Sequence, residues 1–197
     1  PDLPIGVLAV QGGFEAHLKM LRGLGAETRE VRVPEDLEDL EGLVIPGGES
    51  TTITTGIAAA GLEPAIRAHH DAGRPIFGTC AGMIVCDAEH LGLIDASAER
   101  NAFGRQLQSF EAELEVEGIG DEPLRAVFIR APWIRRHGPG VEEIASYEGH
   151  PVAIRGEGVL ACAFHPELTE DPRLHALFMA MTTTARERER DCEEAES

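Results

Sequence analysis

PIGVLAVQGGFEAHLKMLRGLG, residues 4–25, passes from an apolar run through a glycine pair into a segment of helical spacing. Ile5 to Val10 carries no polar residue, the mark of a strand buried on both faces, so helices are expected to flank it. Phe14, Leu18, Leu21 and Leu24 then recur on one helical face, with Gly23 and Gly25 as termination signals. Working outward, Glu27 to Val33 reads as a second strand and Gly42 to Ile45, closed by Pro46, as a third. A helix from about Leu62 to Ala72 leads through Gly73 to a short buried strand, Pro75 to Thr79. A helix-compatible segment follows from Ala81 to about Glu89. This alternation predicts an α/β fold with a doubly wound, mostly parallel sheet in three layers.

Beyond that point the period changes. Phe110, Ala112, Leu114 and Val116 alternate with Glu111, Glu113, Glu115 and Glu117, which predicts a half-buried, antiparallel strand with a solvated face. Four like charges on one strand face read as a water-facing surface rather than a cation ladder. Ala126 to Ile129, Val152 to Arg155 and Val159 to Phe164 are further strands. Asp171 as cap, Pro172 at the first helical position, and Leu174, Leu177, Phe178 and Met181 on one face define a closing helix. Residues 1–184 are read as one domain. Residues 185–197 are read as a charged tail that frays, because no apolar face continues through it.

The 197 residues leave little room for a second core, so one site is expected. The apolar runs are strand-sized, far short of the roughly 20 residues of a membrane span, and Pro1 to Pro4 do not resemble a signal segment. A cytoplasmic protein is the expectation. Four scattered cysteines lack the paired spacing of a zinc site and read as free thiols. A formal charge of −18, with Lys19 the one lysine, excludes nucleic-acid backbone binding, because like charges repel. We read the acidity as adaptation to a salty cytoplasm, where counterions screen self-repulsion.

Gly78-Thr79-Cys80-Ala81-Gly82 sets a cysteine between two glycines at a strand-to-helix junction, the cysteine form of a nucleophile elbow. Lone cysteines are ordinarily small buried hydrophobes, and Cys86 and Cys162 are read that way. At Cys80 the flanking glycines would then have no purpose. A thiolate hydrolase needs a proton shuttle, and eight histidines compete for that role. His69 and His70 are read as surface; His17, His90, His137, His150 and His175 follow no buried strand end. His165 directly follows an apolar strand, and Pro166 lets Glu167 fold back to orient the imidazole. Pro46-Gly47-Gly48-Glu49-Ser50 closes the third strand, where glycine backbone N–H groups face a ligand. Gly48 and Ala81 are the expected pair of oxyanion donors.

Together these motifs resemble the class I, triad-type glutamine amidotransferase domain over essentially the whole chain, with the flavodoxin-like fold that this implies. The segments AVQGGFEAH (9–17), PGGEST (46–51), FGTCAGMI (77–84), ERNAFGRQ (99–106), SFE (109–111), FIRAP (128–132) and HPELTED (165–171) are similar to the glutaminase subunits of pyridoxal 5'-phosphate synthases. The resemblance implies hydrolysis of L-glutamine to glutamate and ammonia by Cys80, His165 and Glu167, with no cofactor or metal. It implies ammonia delivery to a (β/α)8-barrel synthase subunit that makes pyridoxal 5'-phosphate. It also implies substrate contacts at Gly48, Glu49, Ser50, Arg105, Ile129 and Arg130, and a place for Gln11 at the active-site mouth near the synthase contact. A guanidinium fork suits the α-carboxylate of such a substrate. A γ-glutamyl hydrolase or peptidase, a non-catalytic assembly subunit, and an ammonia supplier to another synthase remain as alternatives.

Overall fold

A computed structural model describes residues 3–104 and 108–196. Among the described residues the chain forms eleven strands and five α-helices. The first half comprises β1 (Pro4–Leu8), α1 (Phe14–Gly23), β2 (Glu27–Val31), β3 (Gly42–Ile45), α2 (Ser50–Ala59), α3 (Glu63–Asp71), β4 (Ile76–Thr79) and α4 (Ala81–Cys86). The second comprises β5 (Ala96–Glu99), β6 (Ser109–Leu114), β7 (Leu124–Ile129), β8 (Trp133–His137), β9 (Glu142–Tyr147), β10 (His150–Gly156), β11 (Val159–Cys162) and α5 (Arg173–Glu196).

Seven strands form one sheet in the order β2-β1-β3-β4-β11-β10-β9. Neighbours from β2 to β11 run parallel, and β10 and β9 extend the sheet antiparallel. The expected mixed α/β sheet is therefore present. Every residue of β3, β4 and β11 is buried, as strands covered on both faces require, whereas the edge strand β2 shows Glu27 and Glu30 to solvent. The chain leaves β1 toward β2 and returns on its other side as β3, so a crevice opens at the carboxyl ends of these strands. The first strand ends beside Gln11, β3 beside the glycine loop, β4 at Cys80 and β11 near His165.

The ribbon β6–β7 pairs Phe110 with Phe128, Ala112 with Ala126 and Leu114 with Leu124, while Glu111, Glu113, Glu115 and Glu117 are exposed. The alternation thus produced the half-buried strand it predicts. This ribbon supports the site directly, since the Val127 carbonyl accepts from the His165 backbone N–H at 2.8 Å.

Several elements differ from expectation. The second strand stops at Val31, and α4 stops at Cys86 because buried Asp87 turns the chain, accepting from the N–H groups of Glu89, His90 and Ala98. The strands β5, β8 and β9 and the helix α2 lie where no element is expected. Segment 185–197, expected to fray, instead continues α5 to Glu196. Its side chains are good helix formers, and ion pairs from Arg186 to Glu41 at 3.8 Å and from Glu189 to Arg74 at 3.7 Å link it to the body. Asp171 caps this helix as predicted, accepting from the Arg173 N–H at 3.0 Å. No helix among the described residues is long and apolar enough to cross a membrane.

His69, expected at the surface, is buried, because it shares the inward side of α3 with Ile66. Burial lowers both His69 and His175 to about 4. A histidine whose folded value lies below its unfolded value binds its proton more readily once unfolded. Stability is therefore full above about pH 6.5 and is lost as pH falls toward 4. Each residue should remove about 2 kcal/mol between pH 7 and pH 5, read as a falling urea midpoint.

Candidate active site

Cys80 sits between β4 and α4 with φ 52° and ψ −112°, a conformation that a side chain disfavours. Its flanking glycines explain how the elbow closes. A Cβ on Gly78 would stand 2.5 Å from the Gly82 carbonyl oxygen, and a Cβ on Gly82 only 1.9 Å from that of Ile45. The Cys80 N–H donates to the Cys162 carbonyl at 2.8 Å, which ties the elbow to the strand carrying the histidine.

Sulfur and imidazole meet at the sheet edge. A Cβ placed on Gly47 would lie 2.7 Å from His165 Cε1 and 3.3 Å from Cys80 Cβ, so both side chains pack against one backbone point. His165 Nδ1 donates to Glu167 Oε1 at 2.5 Å across the turn Pro166–Leu168. That bond fixes the tautomer and leaves Nε2 for proton exchange. Burial disfavours the imidazolium, but hydrogen bonding and charge from Cys80 and Glu167 outweigh it and raise His165 to about 10. The Cys80 thiol also lies 3.7 Å from the Ile129 carbonyl, which can accept from it.

A cleft of about 470 Å³ opens over these groups, and its lining includes Gly48, Glu49, Ser50, Ala81, Ile129 and Arg130. The structure thus brings the expected site residues together, Gln11 through its contact with Glu49, apart from Arg105, which lies outside the described residues. Gln11 Oε1 accepts from the Glu49 N–H at 2.9 Å, and Gly48, with φ 147°, leaves no room for a Cβ beside it. Gln11 therefore braces the glycine loop. Glu49 caps α2 through Oε2, which accepts from the Thr52 N–H at 2.8 Å, and pairs through Oε1 with Arg100 at 2.7 Å. A wider groove of about 840 Å³, lined by Glu113, Glu115, Glu117 and Glu143, lies apart from the chemistry.

Four residues at or next to the site escape the sequence reading. Gly47 is one half of an unremarkable Gly-Gly turn until its contact with His165 is seen. Arg100 and Asn101 line the cleft, and the quoted ERNAFGRQ segment contained them without singling them out. His17 is fully buried with Nε2 3.5 Å from Glu167 Oε2, although it follows no strand end.

Comparison with known sequences resolves the family. The profile of the SNO glutamine amidotransferase family matches residues 7–184. This chain belongs to that family. Among similar proteins, the pyridoxal 5'-phosphate synthase subunit PdxT of Thermus thermophilus is 52% identical over 186 residues, covering 90% of this chain and 96% of that one. The subunit of the same name from Pelotomaculum thermopropionicum is 51% identical over 185 residues, covering 90% and 94%. A crystal structure of a glutamine amidotransferase superposes with a TM-score of 0.86 at 48% identity, covering 91% of this chain and 98% of that chain. The expected class I glutaminase fold is therefore correct.

Proposed function

We propose that this chain hydrolyses L-glutamine to glutamate and ammonia and delivers the ammonia to a (β/α)8-barrel pyridoxal 5'-phosphate synthase subunit in the cytoplasm. The observation that carries the reading is the convergence of Cys80, His165 and Glu167 beneath one cleft, in a chain half identical to PdxT subunits.

The geometry suits acyl transfer. Cys80 thiolate attacks the side-chain amide carbon, and the carbonyl electron pair moves onto oxygen, where backbone N–H groups of Gly48 and Ala81 receive it. Each such donor contributes about 2.7 to 4 kcal/mol in comparable sites. Collapse of this intermediate breaks the C–N bond, and His165, charged at neutral pH, protonates the departing ammonia. A γ-glutamyl thioester remains on Cys80. His165, now neutral, takes a proton from water as it attacks, and glutamate leaves with the thiolate restored. Glu167 holds the ring and balances its charge throughout. Glu49 and Ser50 at the cleft wall, with Arg130 and Arg105, are the groups to receive the ammonium and carboxylate ends of glutamine.

Purified chain should be assayed for glutamate release with and without a barrel-type synthase, together with pyridoxal 5'-phosphate formation from pentose and triose phosphates. Turnover of glutamine that rises on adding the synthase, with product formed, is expected. Hydrolysis of γ-glutamyl peptides by the chain alone, with no response to the synthase, would overturn the proposal.

A further inference from the structure

Behind the triad lies a second pair of histidines that the reaction scheme does not use. His17, from α1, and His175, from α5, are both fully buried, with His17 Nδ1 2.8 Å from His175 Nε2. The other nitrogen of His17, Nε2, stands 3.5 Å from Glu167 Oε2 and 3.3 Å from Thr79 Oγ1. Glu167 Oε1 is occupied by His165, while Oε2 is buried and makes no hydrogen bond of standard geometry. His175 Nδ1 is likewise buried without a partner.

These contacts decide the tautomers. One hydrogen joins the two rings, and it belongs either to His17 Nδ1 or to His175 Nε2. If His17 donated it, the lone pair on His17 Nε2 would face a carboxylate oxygen, and His175 would bury an unused N–H at Nδ1. If His175 donates it, His17 Nε2–H points into the space shared by Thr79 and Glu167, and the unpartnered atom of His175 is a bare acceptor. The second arrangement removes both penalties. Burial, followed by the nearby His175 and His165, holds His17 well below its ordinary value, and burial holds His175 at about 4, so both rings stay neutral as the arrangement requires.

We infer that His17 is a positioning residue for the reaction: its Nε2–H, oriented by His175, holds the Glu167 carboxylate so that Oε1 keeps His165 in its productive tautomer. The groups facing His17 are His175 from α5, Thr79 at the end of β4, and His165 and Glu167 beyond the last strand. Withdrawing the donor leaves the buried carboxylate under-solvated and loosens its hold on His165.

Two polar replacements separate this role from packing. In His17→Gln the amide nitrogen reaches the place of Nε2, whereas in His17→Asn it stops near that of Nδ1. Both are measured in the full chain for kcat and KM with the synthase present, and for the pH dependence of Cys80 alkylation by iodoacetamide, mapped by mass spectrometry. His17→Asn should lower kcat on the order of 10- to 100-fold with KM nearly unchanged and move the alkylation midpoint, while His17→Gln stays within about threefold of the parent. Equal kcat and equal alkylation profiles in the parent and His17→Asn would sink the inference. The kinetic arm rests on the glutaminase reading and the alkylation arm does not. An alkylation shift in a chain that never turns over glutamine therefore rejects that reading and keeps the role of His17. Should His17→Asn not fold, His175→Leu removes the group that fixes the tautomer and should show the same loss; an unchanged kcat there overturns the inference.

Discussion

Replacing Cys80 by alanine is expected to lower glutamine turnover by on the order of 10⁴-fold or more while leaving the chain folded. Cys80 is 6% exposed and packs beside His165 and Gly47, so losing one sulfur atom opens little space. The chemistry loses its nucleophile, and neither the cleft nor the oxyanion donors can form a thioester in its place. Backbone strain supplies a second comparison. Because Cys80 holds φ at 52° and ψ at −112°, glycine fits the elbow better than any side chain. Cys80→Gly should be equally inactive yet more stable than Cys80→Ala by on the order of 1 kcal/mol, read as a higher urea midpoint. Ammonia release at the parental rate from either variant would remove Cys80 from the mechanism.

Gly82→Ala should cause the largest loss of stability of any single methyl addition near the site. The added carbon would lie 1.9 Å from the Ile45 carbonyl oxygen and 3.1 Å from that of Pro46, so β3 and α4 must separate. Since both contacts are backbone, no rotamer change relieves them, and a cost above about 3 kcal/mol follows. Gly23→Ala is the control: nothing lies within 4 Å of the added carbon at that exposed helical position, and the change should be neutral or slightly stabilising. Urea midpoints of the two variants test the contrast, and equal midpoints would refute the packing account.

The parallel core was readable because burial on both faces leaves continuous apolar runs, as in Ile5 to Val10 and Gly42 to Ile45. The proposed triad was readable because turn chemistry marks its residues: two glycines around Cys80, and a proline between His165 and Glu167. What escaped follows from equally physical causes. The strand β9 reads EEIASY, with two buried residues in six, and takes its form from pairing with β10 rather than from its own pattern. In α2, STTITTGIAA carries many β-branched residues and a glycine, and the helix depends on Glu49 capping it and on Ile53 and Ile57 packing inward. His17 was hidden because its partners, Glu167 and His175, stand roughly 150 positions away along the chain, and no local pattern reports such a meeting.

The strand latest in chain order among the described residues, β11, does not join an edge of the large sheet but enters between β4 and β10. Until it arrives, β4 and the β9–β10 hairpin each present an unpaired border, and Cys80 has no imidazole beside it. A ribosome-bound chain therefore carries an inert thiol and sticky, unfinished strand edges, and both conditions end in the same closing event. Chemical competence and resistance to aggregation are thus acquired together, when the final gap in the sheet is filled.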